Sequence, residues 1–76
     1  MARTRRRLRV DGAVQGVGFR PWAARLAREL DLAGGVRNAG DGVELEIEGE
    51  RAAVDRFVAA LRERPPAGSR IERLVV

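Results

Sequence analysis

The chain has 76 residues, a formal net charge of +4 at pH 7, and neither cysteine nor histidine. These absences exclude disulfides, cysteine nucleophiles and the side chains that most often bind zinc, so no metal or other cofactor is predicted. A chain of this length forms one domain. No apolar run approaches the ~20 residues that span a bilayer, and there is no signal peptide pattern, so a cytoplasmic protein without a membrane partner is predicted.

The first half of the chain predicts a strand followed by a helix. Residues 1–6 are interpreted as a disordered basic lead-in, and the alternation that follows predicts a strand over 7–14. Proline is favoured at the first helical position, so Pro21 predicts the start of a helix. Gly34 and Gly35 are expected to end that helix.

The second half predicts a hairpin, a second helix and a last strand. A short strand at 36–38 is followed by a dense turn signal and a strand over 43–48. Apolar residues at helical spacing predict a helix over 51–63, and a further strand is predicted over 71–76. The order β-α-β-β-α-β predicts an α+β, ferredoxin-like sandwich, with two helices on one face of an antiparallel sheet.

This topology predicts one site at one edge of the sheet. A crossover through the first helix makes the first two strands parallel, so their carboxyl ends share an edge. Loop 15–20 leaves the first strand at that edge, and Asn38 ends the second strand there. Arg20 and Asn38 are therefore expected to lie near one another.

Loop 15–20 has the composition of an oxyanion site. Gly16 and Gly18 allow successive N–H groups to converge. The helix N-terminus adds free N–H groups and a positive dipole end, and the Arg20 guanidinium matches phosphate oxygens as a planar fork. An ordinary glycine-rich turn with an exposed arginine explains the motif equally well. The candidate phosphate-binding residues are Gln15, Gly16, Val17, Gly18, Phe19 and Arg20.

Other residues have structural interpretations beside functional ones. An asparagine before a glycine-rich turn commonly bonds nearby backbone, so Asn38 is also interpreted as a turn residue. An RNA-binding version of this fold would need aromatic residues on the third strand, where Glu44, Glu46 and Glu48 form a solvated face instead. No nucleic-acid partner is predicted.

Two segments resemble the paired signatures of acylphosphatases. The first runs from Gly12 to Arg20, and the second comprises 36–38 followed by 41–44. The resemblance covers about residues 8–76. Within the family the chain is most similar to the acylphosphatase-like domain of HypF-type carbamoyltransferases of [NiFe]-hydrogenase maturation, because Pro21 and Trp22 directly follow Arg20.

The resemblance implies a role for each matched residue. The loop amides and Arg20 would bind the phosphoryl group, and Asn38 would orient the attacking water. The substrate would be an acyl phosphate, or carbamoyl phosphate in the HypF setting, with inorganic phosphate or sulfate as a ligand. The 7–76 domain is expected to lack its last strand and to belong to a larger chain. A non-catalytic anion-binding or regulatory module is the alternative.

Overall fold

Two helices cover one face of a four-stranded sheet in the computed structural model, which describes residues 2–76. The order of the elements confirms the predicted α+β, ferredoxin-like fold. Neither helix of the described residues is long and apolar enough to cross a membrane. The elements are β1 (Arg3–Ala13), α1 (Phe19–Glu29), β2 (Ala33–Ala39), β3 (Gly42–Glu50), α2 (Arg51–Glu63) and β4 (Arg70–Val75).

The sheet order is β2-β3-β1-β4. Both β1 and β2 pair antiparallel with β3, so β1 and β2 run parallel to each other on either side of it. Their carboxyl ends therefore lie at the same edge, as the sequence predicted. One row of the ladder crosses the sheet near this edge, because Val10 lies opposite Val43 and Val43 lies opposite Asn38.

The core lies between the helices and one face of the sheet. Because side chains alternate along a strand, the buried residues of the two central strands share this face: Leu8 and Val10 of β1, and Val43, Leu45 and Ile47 of β3. None of the charged residues among 2–76 is buried. The largest fully buried side chains are Phe19, Phe57, Leu8, Leu61, Val10, Val14, Val43 and Val54.

The disordered lead-in predicted at 1–6 is wrong for residues 3–6, which form the first part of β1. Met1 lies outside the described residues. Arg3 lies opposite Glu50 and Arg6 lies opposite Ile47, so this segment pairs with the second half of β3. An arginine run shows no alternation of apolar and polar residues, because both faces of the strand carry the same residue type.

Helix α1 begins at Phe19, two residues earlier than predicted. Gly18 precedes it with a left-handed φ of 78° and is the N-cap. Pro21 is therefore the third residue of the helix, where an N–H has no acceptor within the helix, so its missing donor costs nothing.

The predicted end of α1 at Gly34 and Gly35 is also wrong, because both glycines lie within β2. The helix ends five residues earlier, at Glu29, and Asp31 takes the left-handed conformation with φ 56°. The Asp31 N–H donates to the Arg28 carbonyl at 3.1 Å, and the Leu32 N–H donates to the Ala27 carbonyl at 2.8 Å. This is the Schellman pattern, with aspartate in the place that glycine usually takes.

Candidate functional site

The segment 15–18 is a turn that connects β1 to α1. Gly16 and Gly18 have φ values of 75° and 78°, which few residues other than glycine adopt. A Cβ atom at either position would have open space around it, so the backbone conformation, not crowding, requires glycine here. The two left-handed residues curl the chain onto the first turn of α1.

The predicted phosphate-binding residues divide into anchors and exposed groups. Phe19 is buried in the core, where its ring centroid lies 5.7 Å from that of Trp22, and Val17 is half-buried against the same core. Phe19 and Trp22 are therefore packing residues. The other four residues of the loop are exposed: Gln15, Gly16, Gly18 and Arg20. The side chains of Val17 and Phe19 therefore anchor the loop to the core, while the residues between and beside them face solvent.

The N-terminus of α1 keeps its free backbone donors. No side chain caps it, and its first turn contains no acidic residue. The uncapped N–H groups and the positive end of the helix dipole favour an anion at this position. This start of α1 adjoins the left-handed turn, so both sets of backbone donors belong to one loop.

Arg20 is exposed in the first turn of α1. Within residues 2–76 its guanidinium takes part in no ion pair or side-chain hydrogen bond, whereas Arg5, Arg7, Arg9 and Arg37 all pair with carboxylates. Its donors are therefore available to a ligand.

Asn38 lies within β2, in register with Val43. Directly opposed residues of a sheet project to the same face, so Asn38 shares the helix-covered face with Val10 and Val43, and it is exposed at the end of the strand. Its side chain makes no hydrogen bond within the described part of the chain. The turn-residue interpretation, which required a bond to nearby backbone, therefore finds no support in the structure.

The loop and the β2–β3 hairpin are in direct contact through Gln15. Its Nε2 donates to the carbonyl oxygen of Gly40 at 2.7 Å and to that of Gly42 at 3.0 Å. Arg20 and Asn38 do not bond to each other, but the elements that carry them are joined here. Sequence reasoning assigned Gln15 only a backbone role. Two features of the sequence could have indicated this contact. The topology brings loop 15–20 and the hairpin to one edge of the sheet, and a glutamine side chain is long enough to reach across.

The helix-free face of the sheet carries an ion-pair network beside the site. Arg37 Nη2 donates to Glu44 Oε1 at 2.7 Å, and Arg9 lies 2.9 Å from Asp11 and 3.6 Å from Glu44. The hydrogen bond from Arg37 is the main cause that lowers the pKa of Glu44, and that from Arg5 lowers the pKa of Glu46. The Glu44 and Glu46 carboxylates are thus paired with arginines on the face opposite Asn38.

Comparison with known proteins shows similarity to acylphosphatases. The family model Acylphosphatase matches residues 6–76. The chain is 45% identical over 75 residues to an acylphosphatase of Syntrophotalea carbinolica, covering 92% of this chain and 82% of that protein. It is 52% identical over 68 residues to the carbamoyltransferase HypF2 of Cupriavidus necator, covering 90% of this chain.

The chain spans only 8% of the length of that carbamoyltransferase. A crystal structure of full-length HypF in the phosphate- and nucleotide-bound form superposes with a TM-score of 0.93 and 35% identity. That alignment covers 97% of this chain and 10% of the HypF chain. The chain therefore spans most of the length of the acylphosphatase and a small part of the length of the HypF proteins.

Proposed function

This chain belongs to the acylphosphatase family of hydrolases, and we propose that it hydrolyses acyl phosphates at the loop 15–20. The observation that carries the proposal is the pair of hydrogen bonds from Gln15 to Gly40 and Gly42. They join a loop suited to anions to the hairpin that carries Asn38. The family match supports the same reaction class.

The loop and Arg20 bind the phosphoryl group in this proposal. The amides of 15–20 and the uncapped start of α1 donate to the phosphoryl oxygens, and the guanidinium adds a bidentate, charge-assisted contact. Phosphoryl transfer needs little covalent help from the protein, because positioning and charge stabilisation supply most of the catalysis.

Asn38 orients the attacking water. Its carboxamide oxygen accepts a hydrogen bond from the water, whose oxygen forms a bond to phosphorus as the bond from phosphorus to the acyl oxygen breaks. The electron pair of the broken bond leaves with the carboxylate, and the proton of the water passes to phosphate. A carboxylate is a good leaving group, so the reaction does not require the histidine or cysteine that this chain lacks.

Carbamoyl phosphate is the proposed substrate where the chain forms part of a HypF-type carbamoyltransferase. The similarity to the Cupriavidus necator protein supports this narrower assignment. A carbamate leaves as readily as a carboxylate, so the same loop and water serve both substrates. A cytoplasmic location stays a prediction.

An anion-binding module without turnover is the second candidate. The observation that favours it is that the chain spans only 8–9% of the HypF relatives, whose reaction is carried by much longer chains. In this case loop 15–20 binds phosphate but Asn38 activates no water.

The purified chain, supplied with benzoyl phosphate and with carbamoyl phosphate, tests the proposal. Release of inorganic phosphate that Arg20→Ala abolishes supports catalysis. The matched control is Arg25→Ala, because Arg25 is exposed on the same helix beyond its first turn. Phosphate-induced NMR shifts at 16–20 without turnover favour the module, and shifts that centre on Arg3 to Arg7 reject the site.

A further inference from the structure

The side-chain amide of Gln15 bonds two carbonyl oxygens at the tip of the β2–β3 hairpin. A primary amide has two N–H donors, and both are used, one on the Gly40 carbonyl and one on the Gly42 carbonyl. The two acceptors lie on either side of Asp41 in the chain. The partners are 25 and 27 residues away from Gln15, so this side chain connects two separate parts of the fold.

Holding the tip of the hairpin constrains the end of β2. Gly42 pairs with Ala39, and the next pair of the ladder is Asn38 with Val43. In the described sheet β2 is an edge strand whose hydrogen-bonded neighbour is β3. The bonds from Gln15 therefore attach the hairpin at the end of β2 to the anion loop, in addition to the ladder that joins β2 to β3.

We infer that Gln15 is a positioning residue, whose side chain holds the Asn38 carboxamide in place relative to the anion loop. The catalytic consequence rests on the proposed function. Gln15 affects the rate through Asn38, because its amide nitrogen is committed to the two carbonyls. A displacement of ~1 Å of a group that orients a reactant lowers a rate by roughly 100-fold.

Gln15→Met tests the inference in the full chain. Methionine is similar in length to glutamine and has no N–H donor. With benzoyl phosphate we expect kcat to fall by about 10- to 100-fold, while the Kd of inorganic phosphate changes less than about twofold, because the loop amides and Arg20 are retained. The matched control is Thr4→Val, which removes the 2.8 Å bond from Arg6 Nη1 to Thr4 Oγ1 at the other end of β1 and should leave both values unchanged.

A double-variant cycle separates positioning from a general structural role. If Gln15 acts through Asn38, Gln15→Met lowers kcat no further in an Asn38→Ala background. A full additional loss in the double variant would overturn the inference, and so would a wild-type kcat in Gln15→Met alone.

NMR relaxation without substrate gives a readout that does not depend on turnover. We expect new microsecond-to-millisecond exchange in Gln15→Met at the amides of Gly40, Asp41 and Gly42 and at the Asn38 side-chain amide. The core amides and the thermal midpoint serve as the check on folding. A hairpin as rigid as that of the wild type overturns the inference, even where the wild type hydrolyses no acyl phosphate. Absence of wild-type turnover rejects the proposed function instead.

Discussion

Arg37 and Glu44 lie directly opposite one another in the β2–β3 ladder, and their side chains meet at 2.7 Å. Arg37 immediately precedes Asn38, yet its side chain lies on the other face of the sheet. The residue with the proposed catalytic role and the residue in the ion pair are thus neighbours in sequence with opposite surroundings.

The Glu44 pair predicts a pH dependence of stability. The hydrogen bond from Arg37 is the main cause that holds the pKa of Glu44 below the ordinary glutamate value of 4.5. A lowered pKa in the folded state stabilises the fold above the unfolded pKa, and this contribution disappears as the pH falls through the folded value. Glu44→Gln should therefore lose less stability than the wild type on acidification below about pH 4.5. Urea midpoints measured from pH 7 to pH 2 check this, and Glu63→Gln, which is outside this network, is the control. Parallel curves for wild type and Glu44→Gln would contradict the assignment.

Arg20→Ala should weaken phosphate binding and abolish turnover while the domain stays folded. A hydrogen bond to a charged group contributes about 1.5–3 kcal/mol, which corresponds to a loss of about 10- to 100-fold in phosphate affinity. Arg20→Lys should be nearly as impaired, because an ammonium group cannot replace the bidentate fork. Calorimetric titration with phosphate and kcat with benzoyl phosphate are the measurements. Full activity in the lysine variant would show that charge alone is sufficient.

Asn38→Ala should lower kcat with little change in the Kd of phosphate. An uncharged carboxamide adds little to holding a dianion, but loss of the group that orients the water removes an interaction of the transition state. We expect kcat to fall by about 100-fold or more, because misplacing a reactant by ~1 Å has an effect of this size. Unchanged kcat together with a lowered thermal midpoint would identify Asn38 as a turn residue after all.

Asp31→Gly should stabilise the domain by about 0.5–1 kcal/mol. Asp31 has a left-handed φ of 56° at the end of α1, and glycine adopts this conformation without a steric penalty. Asp31→Ala is the comparison that isolates the backbone effect, and we expect no gain from it. Chemical denaturation at neutral pH measures both, and a less stable glycine variant would show that the aspartate side chain outweighs the backbone strain.

The elements with a clear hydrophobic period could be predicted from the sequence. Helix α2 has the predicted bounds 51–63, and β3 extends the predicted 43–48 by one residue before and two after. The start of β1 could not be predicted, because the run from Arg5 to Arg7 carries no alternation of residue type. The end of α1 was misplaced, because aspartate took the left-handed position and the glycines that signal a helix end lie in the next strand.

The candidate site was predictable as far as topology determines it. The parallel course of β1 and β2 brings loop 15–20 and Asn38 to one edge. The contact of the Gln15 side chain with Gly40 and Gly42 depends on the conformation of both turns, which residue types alone do not specify. The sequence also does not show which arginines pair with carboxylates. Only the structure shows that Arg20 is exposed and has no such partner within the described residues.

The early start of β1 has a practical consequence for protein engineering. The basic N-terminal segment has the composition of a tail that is routinely trimmed or fused to a tag. Yet Arg3 to Arg6 pair with 47–50, and the Ala2 carbonyl accepts a hydrogen bond from the N–H of Arg51 at the start of α2. Deletion of these residues would leave Gly49 and Glu50 without a strand partner at the end of the sheet remote from the anion loop. A fusion partner therefore has to be joined before Ala2, through a linker that leaves Arg3 extended.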